Sequence, residues 1–314
     1  MTDLFINFYN YIGENNKTFF FFRYSSAKRF LVRSIANIIL PIYYTLFKHS
    51  SKNQLNNSNS NSPKIIVSLT SFPKRINRLW IVIETILRQT KKPDLIVLWL
   101  SKKQFTSLES LPKQLLRLQY RGLKIVLVDE DYRSHKKYYY ILKNYPNDYI
   151  ITVDDDIFYS KHLISSLWKK HLQYPEAVIC NYAFLIERDK NKNIIPYQEW
   201  KEIKSQSSPS SNIFFGSGGG TLFPPDSFHQ DVLNPELFME LCIHADDIWL
   251  NTMVRLNKKK VAKNDVISTI LPLQYKNDNK LASINLIDGK NDIQLAMVRD
   301  FYFQKLKIDP YESE

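Results

Sequence analysis

Residues 148–157 read Asp148-Tyr149-Ile150-Ile151-Thr152-Val153-Asp154-Asp155-Asp156-Ile157. A short β-branched, apolar run bounded by polar residues has the pattern of a buried strand. Three carboxylates stand where the run ends. On an extended backbone alternate side chains share a face, so Asp154 and Asp156 are expected to point one way and Asp155 the other. Carboxylates held side by side repel each other unless a cation lies between them. Hard oxygen ligands of this kind suit Mg²⁺ or Mn²⁺, which also take oxygens from a substrate diphosphate. The competing reading is a solvated acidic turn after a strand, and only the rest of the chain can decide between the two.

Upstream of this run the pattern alternates. Lys64 to Thr70 (KIIVSLT), Asp94 to Leu100 (DLIVLWL) and Lys124 to Val128 (KIVLV) read as strands. Ile76 to Gln89, Pro112 to Tyr120 and His135 to Asn144 read as the helices between them. Repeated strand-helix units imply an α/β fold: a mostly parallel, Rossmann-like sheet flanked by helices. In such sheets ligands collect at the carboxyl ends of the strands. Ser71 to Arg75, Asp129 to Asp131 and Asp154 to Asp156 all fall there. No GxGxxG or GxxxxGK[ST] fingerprint follows any of these strands, which disfavours a dinucleotide-binding domain and a P-loop NTPase.

Composition narrows the partners. The chain has 314 residues, 44% of them hydrophobic and 14% aromatic, enough for a large folded core. Lys and Arg exceed Asp and Glu by 43 to 31, a net charge of +12 that favours anionic partners. The basic residues are dispersed and no nucleic-acid motif is present, so nucleic acid is not an expected partner. Cys180 and Cys242 both sit in apolar runs and read as buried thiols of a reducing compartment, consistent with a cytoplasmic protein.

Three domains are expected: a basic, aromatic extension over 1–49, a flexible Ser/Asn linker over 50–63, and a catalytic domain over 64–314. Up to Lys52 the extension carries seven basic residues against Asp3 and Glu14. Its most apolar piece, Ser34 to Phe47, contains Pro41 and falls short of the ~20 residues a membrane-spanning helix needs. Such a segment is expected either to lie on an anionic membrane surface, peripheral on the inner face of the plasma membrane, or to pack on the catalytic domain. The linker (SSKNQLNNSNSNSP) has too little apolar content to order itself.

Glycine and a second acidic pair mark the downstream half. Of 7 glycines, Gly216, Gly218, Gly219 and Gly220 fall within five positions, where they allow positive φ and close approach of backbone to a ligand. The reading is a substrate-contacting loop, with a plain hairpin as the alternative. Asp246 and Asp247 precede apolar Ile248, Leu250, Met253, Val254 and Leu256 and therefore open a helix. Carboxylates are favoured there by the helix dipole, but one of them is also placed to act as a general base. Asn291 to Leu306 reads as a terminal amphipathic helix, Leu271 to Leu281 as loop, and Lys201 to Ser211 as a mobile lid.

Five pieces occur in order: Val67 to Arg75, His135 to Tyr140, Val153 to Ile157, Gly218 to Pro225 and Ala245 to Leu250. Together they resemble bacterial family 2-like glycosyltransferases of the GT-A fold, which build capsular or lipopolysaccharide glycans. The resemblance covers roughly Lys64 to Val266. It implies that Asp154 and Asp156 hold Mn²⁺ or Mg²⁺ with the diphosphate of a nucleotide-sugar donor, expected to be a UDP-sugar, and that Asp155 lies near the ribose or sugar. Asp247 is implied as the base, with Asp246 beside it. Thr70 and Ser71 would line the nucleotide pocket, and Arg75 and Lys136 would meet the diphosphate. Asp129 stands in for an acidic base contact that this family places after its second strand, where this chain has Leu100-Ser101. Gly218, Gly219, Gly220 and Trp249 are implied at the donor and acceptor loop. The expected reaction is inverting transfer to a glycan or lipid-linked acceptor. The alternatives are a catalytically inactive scaffold and a metal-dependent phosphatase, although Phe158 stands where the phosphatase pattern wants Thr or Val.

Overall fold

The computed structural model describes residues 1–14, 24–47, 62–265, 270–275 and 289–312. Residues 50–61 of the expected linker lie outside the described residues. The strands are β1 (Ile65–Thr70), β2 (Leu95–Ser101), β3 (Leu123–Val128), β4 (Tyr149–Val153), β5 (Ile157–Phe158), β6 (Val178–Cys180), β7 (Ala183–Leu185), β8 (Lys201–Glu202), β9 (Ile213–Phe215), β10 (Gly219–Phe223), β11 (Val261–Lys263) and β12 (Leu271–Pro272). The helices are α1 (Thr2–Glu14), α2 (Tyr24–Leu46), α3 (Ile76–Leu87), α4 (Lys113–Leu116), α5 (Lys136–Asn144), α6 (Leu163–Gln173), α7 (Pro235–Leu241), α8 (Asp246–Leu256) and α9 (Lys290–Leu306).

The four apolar runs of the N-terminal half become one side, from the middle strand β4 out to the edge strand β3, of a seven-stranded sheet ordered β11-β6-β10-β4-β1-β2-β3. β1 pairs parallel with β2 and β4, and β2 with β3, because each strand returns through a helical crossover. β1 is almost wholly buried along its length, as expected of a parallel strand covered on both faces. β10 is the exception, antiparallel to both β4 and β6. That reversal matters for the site, since it brings the start of β10, with its glycines, beside the carboxyl end of β4.

A two-stranded ribbon (β12-β5) and a three-stranded sheet (β8-β7-β9) complete the fold. The ribbon corrects the sequence reading. Leu271 and Pro272 pair with Phe158 and Ile157 as a strand, 273–275 have no regular structure as expected of loop, and 276–281 lie outside the described residues. The segment read as a lid is tied down at both ends, by Lys201 and Glu202 in β8 and by the bridge between Ser210 and Val261.

The described part of the N-terminal extension is a pair of helices packed on the domain. Ala36, Leu40 and Tyr44 of α2 join the core cluster that also holds Leu79, Ile83 and Ile86 of α3. Pro41 lies inside α2. Among the described residues no helix is long and apolar enough to cross a membrane.

Candidate active site

β4 ends at Val153, and the three carboxylates occupy the turn between β4 and β5. The alternation expected of an extended strand therefore does not apply to them. Asp155 is the buried member: its carboxylate accepts from the Ser71 hydroxyl (2.5 Å) and the Arg75 guanidinium (2.7 Å). The same Arg75 nitrogen reaches Asp156 at 2.8 Å. Asp154 instead takes the Lys137 ammonium at 2.7 Å. Arg75 thus serves the turn rather than standing ready for a diphosphate. Its guanidinium also lies near the rings of Phe72 and Tyr275, and the Tyr275 hydroxyl donates to the Asp155 carbonyl at 2.8 Å.

Lys137 is the residue that joins the two acidic motifs. Its ammonium, almost wholly buried, lies 2.7 Å from Asp154 and 2.8 Å from Asp246. Burial alone would discharge it, but the three carboxylates Asp154, Asp246 and Asp247 outweigh burial and hold it firmly protonated. Sequence reading chose its neighbour Lys136. The structure corrects this: Lys136 is buried and ion-paired with Asp131, away from the carboxylate turn. Adjacent helical residues diverge by ~100°, so only one of the two reaches Asp154 and Asp246. Ser68 completes the seating: its hydroxyl donates to the Lys137 carbonyl while accepting from the Trp99 indole at 3.0 Å.

The glycine run forms the turn into β10. Gly219 pairs with Val153, and the register shifts between Gly219 and Thr221, where Gly220 has φ of 97°. At Gly218 an added Cβ would lie 1.7 Å from Asp154 Oδ2, and at Gly219 one would lie 2.4 Å from the Tyr182 Cβ. The turn is thus glycine because the Asp154 carboxylate and Tyr182 occupy the space a side chain would need. Tyr159, not foreseen from the sequence, pins the junction: its hydroxyl donates to the Gly218 carbonyl and accepts from the Asp154 amide at 2.7 Å. Gly218→Ala is expected to displace the Asp154 carboxylate from Lys137 and to cost much more activity than stability. Turnover measured beside a denaturation curve checks this.

Ser217 ties the turn to the second acidic pair. Its amide donates to Asp247 (2.8 Å) and its hydroxyl to Asp246 (2.7 Å), at the first turn of α8. Asn251, one turn on, reads the Phe215 backbone at both its N–H (3.1 Å) and its C=O (2.9 Å). The two carboxylates diverge in character. Burial raises Asp246, but the Lys137 ammonium, His135 and the Ser217 hydroxyl outweigh burial and hold it well below the usual carboxylate range. Burial, and then the charge of Asp246, pushes Asp247 up to about 7 against the opposing pull of Lys137 and Ser217. One member is therefore a fixed anion and the other a proton acceptor poised near neutrality, the separation expected of an acid–base site.

The remaining candidates lie further out. Thr70 donates its hydroxyl to the Trp99 carbonyl at the carboxyl end of β1 (2.8 Å). Asp129 is exposed beyond β3 and pairs with Lys102 at 2.7 Å. Trp249 does not belong to a loop at all: it is fully buried, packs near Phe238, and gives its indole N–H to the Val232 carbonyl (3.2 Å). It packs into the core, whereas Asp246 and Asp247 meet Ser217, and Asp246 also Lys137.

The residues present suit a divalent cation of the open kind. Asp154 and Asp156 keep 40% and 28% of their side-chain surface exposed, while Asp155 keeps 7%. Gly218 leaves Asp154 Oδ2 uncovered by any side chain of its own. Among the described residues no three His, Cys, Asp or Glu side chains converge to enclose a metal. Mg²⁺ commonly needs only one or two carboxylates, its other ligands being water and substrate phosphates. Asp154 and Asp156 are all-oxygen donors that keep solvent exposure, the first engaged by Lys137 and the second by Arg75.

No protein-family model and no curated protein matches the chain. Among solved structures it is similar to 4-diphosphocytidyl-2C-methyl-D-erythritol synthase, with 12% identity over 72% of this chain and 99% of that one (TM-score 0.40). It is also similar to HddC from Yersinia pseudotuberculosis, with 11% identity over 51% of this chain and 76% of that one (TM-score 0.33).

Proposed function

We propose that the chain is a metal-dependent glycosyltransferase of GT-A type, moving a sugar from a nucleotide-sugar donor to a glycan or lipid-linked acceptor with inversion. The observation that supports this reading most is a single one: a buried ammonium, Lys137, touches both Asp154 and Asp246, so the two acidic motifs share one site. The phosphatase reading lacks the Thr or Val its pattern wants at Phe158.

In this reading Asp154 and Asp156 hold Mg²⁺ or Mn²⁺, which supplies charge neutralisation to the departing nucleoside diphosphate. Ser71 and Arg75 keep the carboxylate turn in shape by engaging Asp155. Asp247 takes the proton of the acceptor hydroxyl as it attacks the anomeric carbon, and Asp246, kept ionised by Lys137, keeps Asp247 basic. The Gly216–Gly220 turn is buried and packed against Asp154, Tyr182 and Leu163, so it acts by seating the Asp154 carboxylate, and much of the acceleration comes from such positioning.

Thermal unfolding with a set of nucleotide sugars, with and without Mn²⁺ or Mg²⁺, tests the donor side. A ligand that binds only the folded state raises apparent stability. One nucleotide sugar is expected to raise the melting temperature only when metal is present, and Asp156→Ala is expected to abolish that rise. A panel that produces no shift, or a shift indifferent to metal and to Asp156→Ala, refutes the metal-diphosphate role.

A further inference from the structure

We propose that the outward face of α2 docks on an anionic bilayer surface. Leu31, Ile35, Ile38, Ile42 and Leu46 are all exposed, Ile38 by 63% and Leu46 by 71%. Their spacing of three and four residues places them along one stripe of the helix. The opposite stripe, Ala36, Leu40 and Tyr44, is buried against the domain. α2 is thus apolar on two faces and uses only one of them in the fold. α1 repeats the arrangement, with Ile6 buried and Leu4, Phe8 and Tyr11 exposed. A soluble chain rarely leaves a continuous apolar stripe of this length without a partner.

Charge chooses the partner. The sequence has no Asp or Glu between Asn15 and Ile83, and the bases Lys17, Arg23, Lys28, Lys48 and Lys52 flank or open α2, whereas Arg29 and Arg33 lie half-buried on its inner stripe. A second copy of the chain would set this positive segment against itself. An anionic lipid surface meets both features: headgroups attract the bases and the acyl boundary takes the isoleucines and leucines. No helix among the described residues is long and apolar enough to span, so the contact lies in the plane of the interface.

The same helix is tied to the candidate active site. Asn37 donates to the Pro272 carbonyl (3.1 Å) and accepts from the Gln274 amide (2.7 Å). Between them Leu273 donates its amide to the Asp156 carbonyl (2.6 Å), and Tyr275 follows on the Asp155 carbonyl. One short segment therefore separates the docking helix from the carboxylate turn. For the transferase proposed above this favours a lipid-linked acceptor; that consequence rests on the transferase reading, whereas docking itself does not.

Co-sedimentation of the full chain with vesicles tests the proposal without any substrate, so its failure and that of the transferase reading are separable. Binding is expected to vesicles of phosphatidylcholine with phosphatidylglycerol and not to phosphatidylcholine alone, weakening as salt is raised. Ile38→Glu with Ile42→Glu is expected to lower binding about tenfold or more. Tyr120→Glu with Leu172→Glu, exposed sites elsewhere that make the same charge change, is expected to leave it nearly unaltered. If the glutamates lower the melting temperature, the uncharged pair Ile38→Ser and Ile42→Ser takes their place. The proposal is overturned if the wild type does not sediment with anionic vesicles, if the control pair loses binding equally, or if the stripe variants bind undiminished. It is also overturned if light scattering shows that the stripe instead holds a dimer together.

Discussion

Asp247→Asn is expected to lower sugar transfer by ~10²- to 10⁴-fold, the range over which a positioned general base contributes. The amide keeps an acceptor oxygen for the Ser217 N–H but cannot take a proton. In the wild type, turnover is expected to fall with decreasing pH through about 7, where Asp247 becomes protonated. The residual activity of the variant should lack that limb. Stability carries the same signature with a definite sign. A carboxyl whose folded pKa is raised favours the folded state while it is protonated, and that contribution is lost as pH rises through about 7. The variant does not ionise, so its melting temperature relative to wild type should climb between about pH 4 and about pH 7 and level off above. A variant that turns over normally, or a melting difference that is flat with pH, removes Asp247 from the role of base.

Lys137→Met is expected to be the most damaging substitution for the fold of the site. Removing one partner from a buried ion cluster leaves uncompensated charge, at a cost of ~3–5 kcal/mol. Asp154 is more than one-third exposed and recovers solvent, so the lower end, about 3 kcal/mol, applies here. Asp246 has no such recourse, being buried beside Asp247. Without the ammonium its carboxyl should rise toward or above the usual range, and Asp247 should cease to be the proton acceptor of the pair. Denaturant midpoints and pH–rate profiles measure the two effects separately. A Lys137→Met protein as stable as wild type, with an unchanged pH profile, would show that the acidic motifs do not depend on this link.

Much of the architecture was legible in the chain. The β-branched runs at Ile65, Leu95, Leu123 and Tyr149 became the four adjacent parallel strands because an apolar run of that length has few other ways to bury both faces. The glycine cluster and the Asp246-Asp247 helix start were also recognisable by residue type, since positive φ and helix-start carboxylates have local causes. What failed was the direction of individual side chains. Lys136 and Lys137 are equivalent as letters, and Trp249 follows an acidic pair whether it faces cleft or core. Asp154 to Asp156 alternate only if the strand continues, and it stops at Val153.

By itself the sequence determined that this chain builds a mostly parallel α/β sheet with acidic groups at strand ends, because periodicity and local conformational preference are encoded residue by residue. Only the tertiary structure decided that Lys137 joins Asp154 to Asp246, that Arg75 braces the carboxylate turn, and that Gly218 is empty so that Asp154 can stand there. Each of those contacts closes between segments far apart in the chain. Their energies depend on burial and mutual charge, quantities that do not exist until the sheet has brought the segments together.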